Sequence, residues 1–309
     1  MIFVSFNTKK LNKNLNYVHL SKHFFRLSII LTIIGVISLA VFGLNYGVDF
    51  KAGSNVDITL SKTLTEEQIQ PILKQIGIDE GSDITLGDNR MNIRFNEVLT
   101  EDSDHQLKQE ILKLDDKASF EVNTVDTEMA KELAANAIKA VLISCIGIII
   151  YVSIRFEWRF AVAAVIALLH DAFMVVTVFS IFRLEVDLTF IIAVLTIIGY
   201  SINDTIVIFD RIRENMRFSK LKTREDLVKL VNNSVSQTIM RSLYTALTVF
   251  IAAFFLFLLG GESIRMFSLA MVIGLLFGAY STIFIASPIW FVLKSKQKNN
   301  SAKTSKATN

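Results

Sequence analysis

Six apolar segments of membrane-spanning length constrain this 309-residue chain more than any other feature of its sequence. A helix needs roughly 20 apolar residues to cross a hydrocarbon core that is about 30 Å thick. The sequence therefore predicts six transmembrane helices. The first is expected to be an uncleaved span rather than a signal peptide, because a long charged segment precedes it. The predicted spans are Leu27–Leu44, Ala134–Ile154, Phe160–Phe182, Leu188–Phe209, Leu243–Leu259 and Met266–Leu293.

Composition restricts the chemistry that such a chain supports. Hydrophobic residues make up 52% of the sequence, which favours a bilayer over a large water-soluble core. Cys145 is the only cysteine, so an intrachain disulfide is excluded. Four histidines without a second thiol do not match a structural zinc site, and the sequence has no phosphate loop. We therefore expect no metal and no cofactor. Nucleic-acid binding is also not expected, because the basic residues lie beside the spans without interleaved aromatic side chains.

Basic residues between the spans predict the orientation in the membrane. Residues 46–132 carry nine basic and nineteen acidic side chains, a net charge of −10. Lys and Arg are concentrated instead in segments that alternate with the spans, namely residues 1–26, the turn 155–159, residues 210–241 and the tail 294–309. Because positively charged loops stay in the cytoplasm, both termini are predicted to be cytoplasmic. The predicted organisation is a cytoplasmic segment 1–26, a first span 27–44, an extracytoplasmic domain 45–133, spans two to six within 134–293 with a cytoplasmic loop 210–241, and a basic cytoplasmic tail 294–309.

Residues 45–133 contain no apolar segment of membrane length and are predicted to fold in water. Alternating polar and apolar residues predict strands, and apolar residues at helical spacing predict helices. The order is β-α-β-β-α-β, the ferredoxin-like pattern of an α+β domain. We expect a structural or substrate-contacting role, since the segment has no nucleophile–base pair, phosphate loop or metal cluster. The predicted elements are strands 54–61, 83–86, 91–95 and 119–125, helices 65–76 and 100–114, and a turn at Gly87–Asp88–Asn89.

Asp204 lies inside the fourth predicted span, where a charge costs at least about 2.5–3.5 kcal/mol unless it finds a partner or a cavity. With Asn203, it falls in the cytoplasmic half of the span, about 8 Å before Phe209 at 1.5 Å per residue. Arg241 precedes span five at a similar depth, so its guanidinium is predicted to reach the carboxylate. Two interpretations are open. One is a proton relay in which Arg241 competes with the proton for Asp204, and the other is a static buried pair or a neutral, hydrogen-bonded Asp.

His170 and Asp171 are two further ionisable residues at bilayer depth, near the middle of span three. We interpret them either as members of a relay or as hydrogen-bonding residues that hold the bundle together. A rival hypothesis is an intramembrane aspartyl protease in which Asp171 and Asp204 share one proton. The residues before Asp204, Tyr-Ser-Ile-Asn, argue against it because such enzymes use a glycine-rich turn there.

Two other patterns concern helix contacts and the membrane surface. Residues 220–241 start with a pair like a capping box, Thr223 and Asp226, followed by apolar residues on one face. This pattern predicts a basic amphipathic helix on the cytoplasmic surface. Small residues at every fourth position of span six predict close helix–helix approach. They are Ala270, Gly274, Gly278, Thr282 and Ala286.

A resemblance to a known family is carried mainly by the string Gly-Tyr-Ser-Ile-Asn-Asp-Thr at residues 199–205 and its continuation Phe-Asp-Arg-Ile-Arg-Glu-Asn at 209–215. It resembles the fourth-span signature of SecF proteins, members of the SecD/SecF family of bacterial protein-export membrane proteins. Similar strings of that family are Arg-Phe-Glu-Trp-Arg-Phe at 155–160, Ala-Leu-Leu-His-Asp at 167–171, the pair Gly260-Gly261, and residues 280–286. The resemblance extends from about residue 45 to residue 288.

A junction motif before the inserted domain matches the family pattern Gly-x-Asp-Phe-x-Gly-Gly at Gly47, Asp49, Phe50 and Gly53. Ala52 stands where the family has a glycine, and an alanine adopts a positive φ at a higher cost than glycine. The segment before span two, residues 125–133, keeps the Glu-Leu of the family but lacks its Gly-Pro.

The resemblance implies a function and a set of partners. It implies a non-enzymatic protein of the bacterial cytoplasmic membrane, whose fold is half of a resistance-nodulation-division-type transporter. Such a chain acts with SecD beside the SecYEG channel and uses proton flow to help draw unfolded preproteins outward. YidC- and YajC-type accessory proteins are further candidate partners. The alternative is half of a proton-driven exporter of small molecules or lipids from the same superfamily.

The resemblance also implies roles for individual residues. The family's transmembrane acid corresponds to Asp204 and its essential arginine to Arg241, with Asn203 beside them. Apart from the resemblance, Asp210, the first residue after predicted span four, joins His170 and Asp171 as either a relay member or a packing residue.

Overall fold

The computed structural model describes residues 16–87, 89–219, 221 and 223–296, with the side chain of Glu262 excepted. The predicted segment 1–26 lies partly outside the described residues, as do Asp88 of the predicted turn and the tail beyond residue 296. The helices are α1 (Tyr17–Phe42), α2 (Val48–Lys51), α3 (Glu66–Ile76), α4 (Glu101–Leu114), α5 (Thr127–Arg155), α6 (Trp158–Ile181), α7 (Leu188–Phe218), α8 (Arg224–Leu259) and α9 (Glu262–Ser281). A π-helical turn, Thr282–Ala286, continues α9, and the helical backbone extends to Lys296.

Six of these helices, α1 and α5 to α9, are long and apolar enough to cross a membrane. This confirms the predicted number of membrane-length helices. Each is longer at one or both ends than the apolar segment that predicts it, because the caps lie in the polar flanking sequence. Asp126 and Asp187 cap α5 and α7 by accepting hydrogen bonds from backbone N–H groups of Met129 (2.8 Å) and Phe190 (2.7 Å).

Residues 53–125, here called the inserted domain, follow α1 and contain six elements in the predicted order. The strands β2 (Gly53–Thr59), β3 (Ser82–Leu86), β4 (Arg90–Phe95) and β5 (Ser119–Val125) form an antiparallel sheet ordered β3-β4-β2-β5. Val56 of β2 lies opposite Ile93 of β4 and Val122 of β5, which fixes the register. α3 and α4 pack on one face of the sheet. The fully buried core includes Val56, Ile58, Ile69, Leu73, Ile93, Leu107 and Ile111.

Asp115 fastens the end of α4 to the segment after β2. Its carboxylate accepts hydrogen bonds from both the hydroxyl and the backbone N–H of Ser61, each at 2.5 Å, and from the N–H groups of Lys62 and Lys117. These bonds favour the charged carboxylate, and the Ser61 hydroxyl contributes most. They lower the pKa of Asp115 to about 2.

The helix predicted at residues 220–241 is present from Arg224, but it is not a separate element on the membrane surface. Residues 224–241 are the first half of α8, which continues without interruption into span five. Thr223 and Asp226 do form the predicted capping box. The apolar face of this half packs into the main hydrophobic core through Leu227, Val231 and Val235, rather than facing a lipid surface. Charged residues before Ser242 lower the hydropathy there, which made span five appear to begin later. None of these residues interrupts a helix, so α8 is continuous.

Gly274 and Gly278 of span six lie against α7, which agrees with the predicted close helix–helix approach. A Cβ atom added at Gly274 would lie 2.2 Å from Cδ1 of Ile197, so only glycine fits there. At Gly278 the nearest atom would be Cβ of Ser201, at an ordinary 3.5 Å. Close approach of α7 and α9 brings the polar residues of both helices within reach of one another.

Candidate functional site

Asp204 lies on a face of α7 that is covered by α8, and only 9% of the residue is exposed. The buried hydroxyl of Ser242 and the guanidinium of Arg241, both on α8, face its carboxylate. Within the described part of the chain, no ion-pair contact joins Asp204 to Arg241. The guanidinium therefore acts on the carboxylate at longer range than the sequence suggested.

A band of polar and small residues, here called the polar stripe, is exposed beside Asp204. It consists of Thr196, Gly199 and Asn203 on α7 and Arg241, Thr245 and Thr248 on α8. Tyr200 contacts Thr245, which places the two helices side by side at this level. Lipid offers no hydrogen bonds to an exposed guanidinium or amide, so this surface is suited to another protein.

Asp171 of α6 is fully buried and accepts hydrogen bonds from two neighbouring helices, α7 and α9. Oδ2 accepts bonds from the hydroxyls of Ser201 on α7 (2.6 Å) and Ser281 on α9 (2.7 Å). His170 places Nδ1 3.2 Å from Oδ1, while its buried Nε2 has no hydrogen-bond partner among the described residues. The sequence identified Asp171 and His170 but not the two serines. The only signal for them is that each is a polar residue in an otherwise apolar span.

The π-helical turn of span six begins beside this network. Thr282, its first residue, places Oγ1 3.2 Å from Oγ1 of Thr205, which follows Asp204 in α7. Ser201 and Thr205 are one helical turn apart and therefore share a face of α7. Hydroxyl groups thus line the face of α7 that packs against α6 and span six. Single π-helical turns occur frequently at functional sites, which makes this distortion a further mark of the site.

Asp210 lies apart from both acids, near the end of α5. Its carboxylate pairs with Arg213 (2.7 Å) and Arg155 (3.2 Å). Both guanidinium groups also lie over the ring of Phe156, at 5.2 and 5.3 Å from its centroid. This arrangement is an exposed ionic cluster, and the structure does not bring Asp210 to Asp204.

The junction motif connects the inserted domain to the turn between α6 and α7. The backbone N–H of Gly47 donates to the carbonyl of Val186 (2.9 Å), beside the parallel pairing of β1 (Asn45–Tyr46) with β6 (Glu185–Val186). Asp49 accepts a hydrogen bond from the N–H of Leu188 (2.8 Å), the first residue of α7. Phe50 packs partly buried against the membrane-domain core. The motif therefore anchors the start of the inserted domain to the helix that carries Asp204.

Two consecutive residues after this anchor have positive φ angles. Gly53 has φ 139°, and a Cβ there would lie 2.2 Å from the carbonyl oxygen of Phe95. Ala52 has φ 70° and ψ 155°, a conformation that is essentially restricted to glycine. The alanine at the family's glycine position is thus strained, as its departure from the motif indicated.

Acidic and histidine side chains do not gather into a metal-binding group anywhere in the described ranges. Cys145, the lone thiol, is half-buried in α5 and free.

Comparison with known proteins identifies the family. Residues 106–296 match the family model of the protein export membrane protein SecD/SecF, C-terminal, and residues 37–64 match that of the SecD/SecF GG motif. The chain is 45% identical over 296 residues to the protein translocase subunit SecF of Alicyclobacillus acidocaldarius, covering 94% of this chain and 96% of that protein. It is 47% identical over 287 residues to the protein translocase subunit SecDF of Bacillus subtilis, covering 91% of this chain but 38% of that longer protein.

Solved structures give the same result. The crystal structure of SecDF from Thermus thermophilus, a translocon-associated membrane protein, matches with a TM-score of 0.80 at 30% identity. The match covers 91% of this chain and 39% of that chain. A crystal structure of SecDF in a super-membrane-facing form matches with a TM-score of 0.66 at 28% identity, over 94% of this chain and 40% of that chain. The chain belongs to the SecD/SecF family of protein export membrane proteins.

Proposed function

We propose that this chain is an auxiliary subunit of the bacterial Sec protein translocase. It acts with a SecD chain and couples proton flow to late-stage export of preproteins through SecYEG. The observation that carries the proposal is Asp204, a carboxylate buried within a membrane-length helix beside an exposed polar stripe. The class of protein follows from relatives that are named protein translocase subunits.

Asp204 is the proton-binding group in this proposal. Burial disfavours its charge, while the positive charge of Arg241 favours it. A modest movement of α8 against α7 changes the distance between the two groups, and hence the affinity of Asp204 for a proton. The absence of direct ion-pair contact among the described residues leaves the carboxylate available to a proton. Asn203, exposed in the polar stripe, is assigned to the contact with the partner chain.

Asp171 holds α6, α7 and α9 in register in this proposal. Its carboxylate accepts hydrogen bonds from Ser201 and Ser281 and contacts Nδ1 of His170, as expected of a structural acceptor. His170 supports it, and Asp210 has a structural role in its ionic cluster with Arg155 and Arg213. The separate neighbours of Asp171 and Asp204 also speak against an aspartyl protease, whose two carboxylates share one proton.

The finer architecture is part of the same proposal. The sheet order β3-β4-β2-β5 and the β-α-β-β-α-β connectivity support a ferredoxin-like inserted domain. The six long helices support half of a resistance-nodulation-division-type transporter, completed by SecD. We place the chain in the bacterial cytoplasmic membrane, with the segment 1–26, the loop 210–241 and the tail 294–309 on the cytoplasmic side and residues 45–133 outside.

The partners follow from the same assignment. SecD is proposed to cover the polar stripe, and SecYEG to deliver the unfolded preprotein; YidC- and YajC-type proteins are further candidates. Co-purification distinguishes a subunit of the Sec translocase from half of an exporter. SecD and SecYEG should be recovered with the tagged full chain, whereas recovery of a homodimer without them would favour the exporter.

The central test measures preprotein translocation into inverted membrane vesicles with and without an imposed proton gradient. Asp204→Asn should assemble normally but lose the stimulation by the gradient, and Arg241→Lys should weaken it because lysine lacks the planar guanidinium. Glu214→Gln is the matched control, since Glu214 lies on the same helix but is exposed and pairs with Arg211. Normal gradient-dependent export by Asp204→Asn would refute the proposal.

A further inference from the structure

The inserted domain rests on the membrane-length helices through the open, polar face of its sheet. Polar side-chain contacts join it to the two turns beneath, and a cleft of about 790 Å³ remains beside Gly260 and Gly261. The contacts across this interface include the ion pair of Arg94 with Glu185, Arg90 Nη1 donating to the carbonyl of Gly260 (2.9 Å), Ser263 Oγ donating to Asp57 Oδ2 (3.3 Å), and Asn123 Nδ2 donating to Asp49 Oδ1 (3.4 Å). A small set of polar contacts is easier to break than an apolar interface.

The ion pair of Arg94 and Glu185 is the charged member of this set. Arg94 belongs to β4, and Glu185 belongs to β6, two residues before Asp187, the cap of α7. Both side chains are largely buried, with 22% and 19% of their surfaces exposed. Glu185 also packs against Gly47 of the junction motif. Any displacement of the inserted domain therefore acts through this pair on the end of the helix that carries Asp204.

We propose that Arg94 and Glu185 form a releasable latch between the inserted domain and the start of α7, and that proton binding by Glu185 controls its docking. The role of the latch rests on the proposed function, since docking would link the position of the inserted domain to the proton-binding helix. The latch itself is a pH-dependent contact between two parts of the chain and does not depend on export.

Charge balance at the latch explains how a proton controls it. The charged groups that act on Glu185 are Arg94 on β4, Asp187 on its own turn and Asp49 on α2. Burial raises the pKa of Glu185 to about 7, from 4.5 in water; Asp187 and Asp49 add to the rise and Arg94 opposes it. Two extra carboxylates beside one guanidinium therefore leave a charged Glu185 poorly compensated.

The direction of the pH effect follows from linkage. Undocking takes the inserted domain off Glu185 and returns its carboxyl to water, which removes the burial that contributes most to the raised pKa. Docked Glu185 then binds its proton more tightly than undocked Glu185, so lowering the pH favours docking. Docking is strongest below pH 4.5, the pKa of Glu185 in water. It weakens as the pH rises to about 7, the pKa of docked Glu185, and is constant above that. A tenfold change in the docking equilibrium per pKa unit gives up to about two orders of magnitude across this window.

Spin-label distances in the full chain, reconstituted in lipid nanodiscs, test the latch. Cys145→Ser removes the only native thiol, after which labels are attached at Gln109→Cys on α4 and Phe182→Cys after α6, both exposed. At pH 5 a single docked distance is expected. A second distance should gain population with a midpoint near pH 7, and its ratio to the first should rise at least about tenfold by pH 8.

Two variants assign the response to the pair. Glu185→Gln, which mimics the protonated side chain, should remain docked at every pH. Arg94→Gln should increase the undocked population at pH 8, because the charged Glu185 then has no counter-charge. Asp187→Asn should keep the response with a lower midpoint. Asp104→Asn, which removes an ion pair with Lys108 inside α4, should change nothing.

A distance distribution that stays constant from pH 5 to pH 9 in the unmodified sequence would overturn the latch, as would an unchanged pH response in Glu185→Gln. Neither result depends on export activity. Failure of the latch therefore leaves the role of Asp204 intact, and failure of the Asp204→Asn test leaves the distance result intact.

Discussion

Replacing Ala52 by glycine should stabilise the junction between the membrane-length helices and the inserted domain. Ala52 has φ 70° and ψ 155°, a region in which a non-glycine residue costs of order 1–3 kcal/mol. Glycine removes this strain but adds about 0.5–1 kcal/mol of conformational entropy to the unfolded chain. The net expected gain is about 0.5–2 kcal/mol in the free energy of local opening.

Hydrogen–deuterium exchange of the full chain measures this gain. The reporting amides are those of Lys51 and Ala52, which donate to the carbonyls of Gly47 (3.2 Å) and Val48 (3.0 Å). A gain of about 0.5–2 kcal/mol slows their exchange by about 2- to 30-fold, since 1.4 kcal/mol corresponds to a factor of ten.

Ala118→Gly is the matched control. Ala118 also lies in a connecting segment of the inserted domain, but its φ is not positive. Removing its methyl group should therefore accelerate exchange nearby, by about 0.5–1 kcal/mol of lost stability. Opposite signs for the two substitutions are the signature of strain at Ala52. If exchange at the junction is unchanged or faster in Ala52→Gly, the positive-φ argument is wrong.

Two further predictions concern stability. Gly274→Ala should destabilise the chain by about 1–3 kcal/mol, because its Cβ would overlap Ile197, whereas Gly278→Ala should be tolerated; thermal unfolding in detergent compares them. The inserted domain should lose stability as the pH falls from about 4 towards 2, because the lowered pKa of Asp115 favours the folded state only while the carboxylate is charged. Asp115→Asn should weaken this pH dependence, which circular dichroism at pH 2 to 5 detects, and an unchanged acid transition would contradict the role of the Ser61 hydrogen bonds.

Much of the fold follows from local sequence patterns. Hydropathy located the six long helices, and alternation located the four strands, because burial of an apolar face depends on residues that are close in the sequence. Helix caps also depend on residues that are close in the sequence. Thr223 and Asp226 lie three residues apart, and the predicted capping box is present. The continuity of α8 was missed because hydropathy detects the membrane boundary rather than the end of a helix.

The candidate site was only partly predictable, because its contacts join residues that are far apart in the sequence. A costly carboxylate in an apolar span identified Asp204 and Asp171 without any knowledge of their neighbours. Ser281, which binds Asp171, lies 110 residues away, so no periodicity connects the two. The pairing of Arg94 with Glu185 joins residues 91 positions apart and was likewise invisible, since exposed charges are common on both segments.

The polar stripe exposes two groups that lack hydrogen-bond partners among the described residues. The exposed amide of Asn203 lies within predicted span four and would face hydrocarbon if the chain stood alone, where an unsatisfied polar group costs several kcal/mol. Arg241, just before predicted span five, exposes its guanidinium beside it. The hydroxyls of Thr245 and Thr248 avoid this cost by bonding to carbonyls of their own helix, at 2.9 and 2.8 Å. Among the described residues, no comparable hydrogen bond within the helix is made by the guanidinium of Arg241 or the amide of Asn203. If a second chain covers these groups and Asp204 binds a proton, as we propose, partner binding and the proton affinity of Asp204 should influence each other.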